Sequence, residues 1–114
     1  MDKQQSPKRY DLEERTFKFA LDVSRFCKKF PRTIGNIEYV KQLIRSSGSV
    51  GANYIEANES LSKKDFVMRI KICRKEAKES RYWLLLINNG DRNELDKDIS
   101  RNKFDIHKHN FFSD

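Results

Sequence analysis

At 114 residues, the chain is long enough for one domain with a modest core, and its charged fraction of 36% is well above the usual quarter. Two prolines and four glycines supply little of the turn chemistry that a sheet-rich fold needs, so the composition favours an all-α protein. The net charge is +7, and no stretch approaches the ~20 apolar residues of a membrane span. The first residues contain no apolar core of the kind that a signal peptide has, so we expect none there. We therefore expect a basic, cytoplasmic protein with no membrane partner.

The first predicted helix follows a polar segment, residues 1–10, that we expect to be flexible. Asp11 is a suitable N-cap, since a carboxylate there accepts backbone N–H bonds and favours the positive end of the helix dipole. Pro31 is expected to end the helix. Between these residues the apolar positions, with Thr16 between the first two of them, recur mainly at steps of three and four, which defines one helical face: Leu12, Phe19, Val23, Phe26, Cys27 and Phe30. Cys27 and Cys73 lack CxxC spacing and are predicted to be buried, reduced thiols.

The second predicted helix begins at the cap Asn36 and runs to about Ser60. Its central sequence "RSSGSVG" contains poor helix formers, which a helix tolerates where tertiary packing outweighs propensity. Ser47 and Gly51 fall on the core side, where small residues let a neighbouring helix approach. The apolar stripe has a rhythm of seven residues and is widened by Ile44, Gly51 and Asn58: Val40, Leu43, Ser47, Val50, Tyr54, Ala57 and Leu61.

The third predicted helix has cap candidates Ser62 and Asp65 and ends at Asn89–Gly90. Its core positions are Phe66, Ile70, Cys73, Ala77, Ser80, Leu84 and Ile87. A short fourth helix is expected from about Asn93 to Arg101, and residues 101–114 have no sustained period and are expected to form an irregular or disordered tail. Long helices with short connectors predict an up-down-up-down four-helix bundle over residues 11–100, with a short or irregular fourth helix. Such a helix leaves one groove partly uncovered, so we expect either a partner subunit or a disordered tail with exposed aromatic residues.

No arrangement typical of an enzyme occurs in the sequence. His107 and His109 stand two residues apart in the predicted tail, which does not place them on one helical face. The segment "SSGSVG" lacks the lysine of a phosphate-binding loop. We therefore expect no catalysis, no cofactor and no metal. A metal held by Glu56, Glu76 and Glu79 is kept as a minor alternative, although the histidines of a ferritin-like site are missing.

Polar side chains follow one stripe on each of the second and third helices. The stripe on the second helix comprises Ser46, Ser49, Asn53 and Glu56. The matching stripe on the third helix comprises Ile72, Glu76, Glu79 and Trp83. Positive partners for the carboxylates are available from Arg45, Arg74, Lys75 and Lys78. Because buried charge persists only when it is paired, we interpret the two stripes as a hydrogen-bonded, salt-bridged seam between helices or subunits. A ligand site remains the alternative.

Positive charge is concentrated on the third helix. Residues 63–89 contain eight Lys or Arg against three Asp or Glu, whereas residues 33–62 contain two against three. The eight cations are Lys63, Lys64, Arg69, Lys71, Arg74, Lys75, Lys78 and Arg81. Such a helix suits sequence-independent binding of phosphates, and Tyr82 and Trp83 are candidates for base stacking, although Trp83 fits a core position better. A solvated basic face is the alternative, since no recognised nucleic-acid motif is present.

The segment "QLIRSSGSVGANYIEANESLSKKDFVMRIKICRKEAKES" resembles the bacterial four-helix-bundle proteins linked to 23S rRNA intervening sequences. Their R-x-x-x-S-[IV]-x-x-N-x-x-E pattern is matched by Arg45, Ser49, Val50, Asn53 and Glu56. After this pattern come a short break and Asp65–Phe66, which open the third helix, and then the acidic positions of the family, matched by Glu76 and Glu79. At the end of the first helix, Phe30–Pro31 matches the family's usual Phe-Pro. The tail after Ser100 departs from the regular fourth helix of that family.

This resemblance implies a left-handed four-helix bundle, often a ring-like homopentamer, without known catalysis. It also implies a likeness in fold to the accessory variability determinant of diversity-generating retroelements, which works with a reverse transcriptase and nucleic acid. Combined with the charge pattern, it predicts a self-associating, non-enzymatic protein that binds RNA, DNA or a nucleic-acid-associated protein through its basic helix. A purely structural or protein-interaction oligomer is the alternative.

Overall fold

The computed structural model describes residues 7–90 and Phe104, with side chains for residues 11–87 and 104. Three α-helices follow one another: α1 (Pro7–Cys27), α2 (Ile34–Asn58) and α3 (Lys63–Gly90). No strand occurs in this part of the chain, so the all-α prediction is confirmed. The predicted fourth helix lies outside the described residues, as do residues 1–6 of the expected flexible N-terminus and the expected tail apart from Phe104.

Both ends of α1 differ from the prediction. The helix begins at Pro7, four residues before Asp11, because proline is favoured at the first helical position, where its missing N–H leaves no bond unmade. Asp11 instead accepts a bond from Arg15 one turn later, at 3.0 Å. The helix ends at Cys27 rather than at Pro31, and residues 28–30 close in tight turns whose N–H groups bond three residues back. Pro31 disfavours helical geometry at the residue before it.

Side-chain caps start α2 and α3. Thr33, not the predicted Asn36, caps α2, since its hydroxyl accepts the Asn36 N–H at 3.1 Å while the Asn36 amide donates to Pro31 O at 3.0 Å. The helix ends at Asn58, so Leu61, predicted as a core residue, is 99% exposed in the connector. Ser62 caps α3 as predicted, because its hydroxyl accepts the Asp65 N–H at 3.0 Å.

Contacts between helices run in opposite directions along the chain, so neighbouring helices are antiparallel. Asn58 near the end of α2 donates to Glu13 near the start of α1, and Gly51 lies against Thr16. Between α2 and α3, position 46 meets position 80, whereas position 56 meets position 69. The described part is therefore an up-down-up arrangement in which α2 packs against both other helices.

The core lies where the three apolar stripes meet. Its buried cluster comprises Phe19, Val23, Phe26, Leu43, Val50, Leu84 and Ile87, all predicted as core positions. Phe104 closes this cluster beside α1, with its ring centroid 5.2 Å from that of Phe26 and 6.2 Å from that of Phe19. Ile44, predicted to widen the stripe, is instead 48% exposed, and Ser46, predicted to lie in the polar stripe between helices, is fully buried. The reason is that α3 approaches α2 on the side of Ser46, which leaves Ile44 on the outer surface.

Both cysteines are unpaired thiols, as the sequence predicted. Cys73 is buried, and Cys27 is only half-buried. Burial disfavours the thiolate and raises the pKa of each thiol from 9.0 to about 11. Across the described residues, no helix has the length and apolar character needed to span a membrane.

Candidate nucleic-acid interface

Seven of the eight predicted nucleic-acid-binding residues lie on one exposed face of α3. We call this face the basic stripe; it comprises Lys63, Lys64, Lys71, Arg74, Lys75, Lys78 and Arg81. With 3.6 residues per turn, these positions fall within an arc of about 120° around the helix axis. Arg69 falls on the opposite side of α3, facing α2, where it is only partly exposed.

The acidic residues of α3 do not lie among the cations of the basic stripe. The acidic residues of α3 are Asp65, Glu76 and Glu79, and the helical period places all three outside the arc. The stripe extends over about 27 Å between positions 63 and 81, at 1.5 Å per residue. A continuous row of cations of this length presents a positive surface that phosphate groups can follow.

The two aromatic candidates have different surroundings. Tyr82 lies on the same face at the C-terminal end of the basic stripe, directly after Arg81, and is 57% exposed. Trp83 is half-buried and stacks on Tyr39 of α2, with ring centroids 6.1 Å apart, while its indole N–H is buried without a hydrogen-bond acceptor. The structure therefore leaves Tyr82 accessible to a base and places Trp83 in the contact between α2 and α3.

The predicted polar seam forms between α2 and α3, and Arg45 is central to its first half. Its Nη2 atom lies 2.5 Å from Glu79 Oε1 and 3.4 Å from Glu76 Oε1. Glu76 is buried, and its Oε1 atom accepts no hydrogen bond of good geometry. The Arg45 guanidinium therefore compensates electrostatically for a carboxylate with one buried oxygen that accepts no hydrogen bond.

Arg69 holds the second half of the seam. Its guanidinium lies 3.2 Å from Glu56 Oε1 and donates to Asn53 Oδ1 at 3.3 Å. The Asn53 amide donates to Ser49 O at 2.8 Å, and the Ser49 hydroxyl donates to Arg45 O at 2.9 Å. All six predicted seam residues thus take part, but the second cation is Arg69 rather than the predicted Arg74, Lys75 or Lys78, which lie on the basic stripe.

A buried pair of hydroxyls lies beside the seam. Ser46 Oγ and Ser80 Oγ are 2.8 Å apart, and the Ser80 hydroxyl also lies 2.9 Å from Glu76 O, where it can donate. With the Ser80 proton on Glu76 O, Ser46 donates to Ser80, so both polar groups are satisfied inside the protein. Two small side chains facing each other let the axes of α2 and α3 come close.

The seam also bears on the metal alternative. Glu76 and Glu79 face Arg45, whereas Glu56 faces Arg69, so cations already occupy the surroundings of all three carboxylates. Across the described part of the chain, no group of three His, Cys, Asp or Glu has an arrangement that would hold a metal ion. His107 and His109 lie outside that part.

Two comparisons with known proteins gave matches. Residues 8–103 match the family model described as 23S rRNA-intervening sequence protein. A crystal structure from Bacteroides thetaiotaomicron, of a protein with unknown function from the S23 ribosomal protein family, is similar with 31% sequence identity and a TM-score of 0.65. The match covers 89% of this chain and 92% of that one. No curated protein matches the chain.

Proposed function

The chain belongs to the 23S rRNA-intervening sequence protein family, and from this premise we propose that it is a non-enzymatic, self-associating helical bundle that binds nucleic acid through the basic stripe. The observation that carries the proposal is the row of seven exposed cations on one face of α3, with no acidic residue of that helix among them. The names of the family and of the similar structure refer to ribosomal RNA and to a ribosomal protein family, which supports nucleic acid as the partner.

The proposed complex is electrostatic and independent of sequence. Cations on a smooth helical face contact phosphates, which every nucleic acid carries, and each contact releases a condensed counterion. The affinity should therefore fall steeply as salt rises. If all seven cations contact phosphates, the slope of log affinity against log salt is about −5 with a single strand and about −6 with duplex DNA. Fewer contacts give a shallower slope.

Self-association is proposed from an exposed apolar strip along α2. We call it the outer strip; it comprises Ile44, Gly48, Ala52 and Ile55, spaced four, four and three residues apart on the surface. Ile44 is 48% exposed and Ile55 is 57% exposed. Such a strip is typical of a face that packs against another helix, and the family resemblance implies a ring-like homopentamer.

The same proposal includes the fourth helix predicted between about Asn93 and Arg101. Support comes from Phe104, whose ring packs edge-on against Phe19 and Phe26 of α1, so the chain returns to the bundle after that segment. A helix in the intervening segment would complete the up-down-up-down bundle that the family resemblance implies.

Removing two central cations tests the nucleic-acid proposal. We expect Lys71→Gln with Lys78→Gln to weaken binding to structured RNA and to duplex DNA alike, and to reduce the salt slope by about 1.4 to 1.8. Electrophoretic mobility shifts at a series of salt concentrations measure both effects. The matched control, Lys18→Gln with Lys41→Gln, removes the same charge from exposed positions on α1 and α2 and should change the affinity far less.

Three results would contradict the proposal. The first is no binding at low salt, and the second is an affinity of the unmodified protein that stays constant as salt rises. The third is equal weakening by the two double variants, which would indicate a general charge effect. A protein that binds no nucleic acid but captures protein partners would favour the alternative, a structural or protein-interaction oligomer.

A further inference from the structure

One aromatic ring lies at the C-terminal end of the basic stripe. Tyr82 follows Lys78 by four residues and Lys75 by seven, so the three side chains share one ridge of α3. The residue is 57% exposed and follows cations on a face to which α3 contributes no acidic residue. Val67 and Leu85, 42% and 43% exposed, lie in the same arc, so this face combines positive charge with partly exposed apolar side chains.

The ring of Tyr82 is held in place without being covered. It meets Trp83 at a centroid distance of 5.1 Å and an interplanar angle of 69°, which is an edge-to-face contact. Trp83 is itself stacked on Tyr39 of α2, with an interplanar angle of 29°. The three rings form a continuous aromatic row from the interior of the bundle to the stripe, and this support reduces the entropy that Tyr82 would lose on binding.

We infer that the basic stripe binds single-stranded nucleic acid, with an unpaired base stacked on Tyr82; this inference rests on the proposed function. Phosphate contacts alone do not distinguish single strands from duplexes, because both carry the same groups. An exposed aromatic ring does distinguish them, since the faces of paired bases are covered by their neighbours whereas those of unpaired bases are available.

The dimensions of the stripe agree with a short single strand. Its length of about 27 Å corresponds to about eight nucleotides at a rise of 3.4 Å per nucleotide. Base faces that lie against Val67 and Leu85 would remove their exposed apolar surface from water. Against a duplex, phosphates and sugars would cover the same surface without apolar contact.

Titration of labelled RNA tests the inference. The single-stranded probe has about 12 nucleotides of mixed sequence, longer than the span of the stripe, and the duplex probe is the same strand annealed to its complement. Fluorescence anisotropy of the label gives the affinity of the full-length protein for each probe. We expect Tyr82→Ala to weaken single-strand binding roughly 5- to 150-fold, the range that loss of one base–aromatic stack produces. Duplex binding should stay the same.

Further measurements separate the effect of base stacking from effects of folding and of charge. Tyr82→Phe keeps the ring and should keep the affinity, and neither variant should change the salt slope, since no charge is removed. Trp83 is the only tryptophan of the chain and touches Tyr82, so its emission in the unmodified protein should change when the single strand binds. Thermal melting of each variant confirms that this exposed position does not affect folding.

The outcomes distinguish this inference from the proposal beneath it. Salt-dependent binding that Tyr82→Ala weakens equally for both probes, or for neither, would overturn base stacking and leave the proposed function intact. A protein that binds neither probe at low salt would overturn both. Selective loss of single-strand binding, restored by Tyr82→Phe, would establish the inference.

Discussion

At the scale of single residues, the small side chains of α2 have separate roles. A Cβ atom at position 51 would lie 3.1 Å from Thr16 Oγ1 and 3.4 Å from Thr16 Cβ, so glycine there lets α1 approach closely. Thr16 has little freedom to move away, because its hydroxyl lies 2.8 Å from Leu12 O and 3.1 Å from Glu13 O. A Cβ at position 48 would meet nothing within 4 Å. The two glycines therefore differ in their surroundings, although both lie in the same helix.

We expect Gly51→Leu to lower the free energy of unfolding by about 1–3 kcal/mol, because the added side chain must displace Thr16 or separate α1 from α2. Gly48→Ala should raise it by about 0.5–1 kcal/mol, since alanine removes the entropic disadvantage of glycine in a helix and fits open space. Urea unfolding of both variants, followed by circular dichroism at low protein concentration, measures the difference. An unchanged stability for Gly51→Leu would mean that position 51 is not packed against α1.

The buried residues of α2 were predicted better from the sequence than the side of the apolar stripe that α3 covers. Leu43, Ser47, Val50, Tyr54 and Ala57 are buried as the seven-residue rhythm predicted, because that rhythm follows directly from helical geometry. The rhythm does not say on which side of the stripe the second neighbour packs. That side was decided by a contact between helices, which a single-helix pattern does not contain, and Ile44 is therefore exposed whereas Ser46 is buried against Ser80.

At the scale of secondary-structure elements, the seam joins α2 to α3 through two arginines with different surroundings. Arg45 faces a buried carboxylate on Glu76, whereas Arg69 faces Glu56, whose side chain is 60% exposed. The six predicted seam residues were predictable because those on α2 share one face of that helix and those on α3 share one face of the other. Arg69 was missed because it was counted with the other cations of α3, although its seven-residue spacing from Glu76 places it on the seam side.

We expect Arg45→Ala to destabilise the protein by about 1–3 kcal/mol, since it leaves a buried carboxylate without its cation. Arg69→Ala is the matched comparison and should lower the stability by about 1 kcal/mol or less, because water can solvate Glu56 once its partner is gone. Denaturant unfolding ranks the two variants. Adding Glu76→Gln to Arg45→Ala should restore part of the loss, since the unpaired charge is then removed, and equal losses for Arg45→Ala and Arg69→Ala would contradict the assignment.

At the scale of the whole molecule, two exposed faces have compositions that the folding of the bundle does not explain: one is a row of cations and the other is a strip of apolar and small residues. The basic stripe follows α3, and the outer strip of apolar and small residues follows α2. The all-α class and the family were predictable, because both depend on patterns that extend over most of the chain, and the family is confirmed. The pentamer and the likeness to the accessory variability determinant remain predictions.

We expect Ile44→Glu with Ile55→Glu to shift the protein towards smaller assemblies, because two carboxylates would be buried in any contact made by the outer strip. Light scattering coupled to size-exclusion chromatography measures the mass. The control, Leu61→Glu, makes the same chemical change at a side chain that is 99% exposed in the connector, and its assemblies should match those of the unmodified protein. A double variant with an unchanged mass would exclude the outer strip as the contact between copies.

The hydroxyl pair between α2 and α3 also restricts how this sequence can evolve. Ser46 and Ser80 are both fully buried and 2.8 Å apart, so neither can enlarge without the other shrinking, and neither can become apolar alone without removing a partner from the other. Positions 46 and 80 should therefore covary among relatives, as serine with serine, as alanine with alanine, or as a larger residue opposite glycine. A lineage that changed one of them first would pass through a less stable intermediate, so we expect the two positions to change together and slowly.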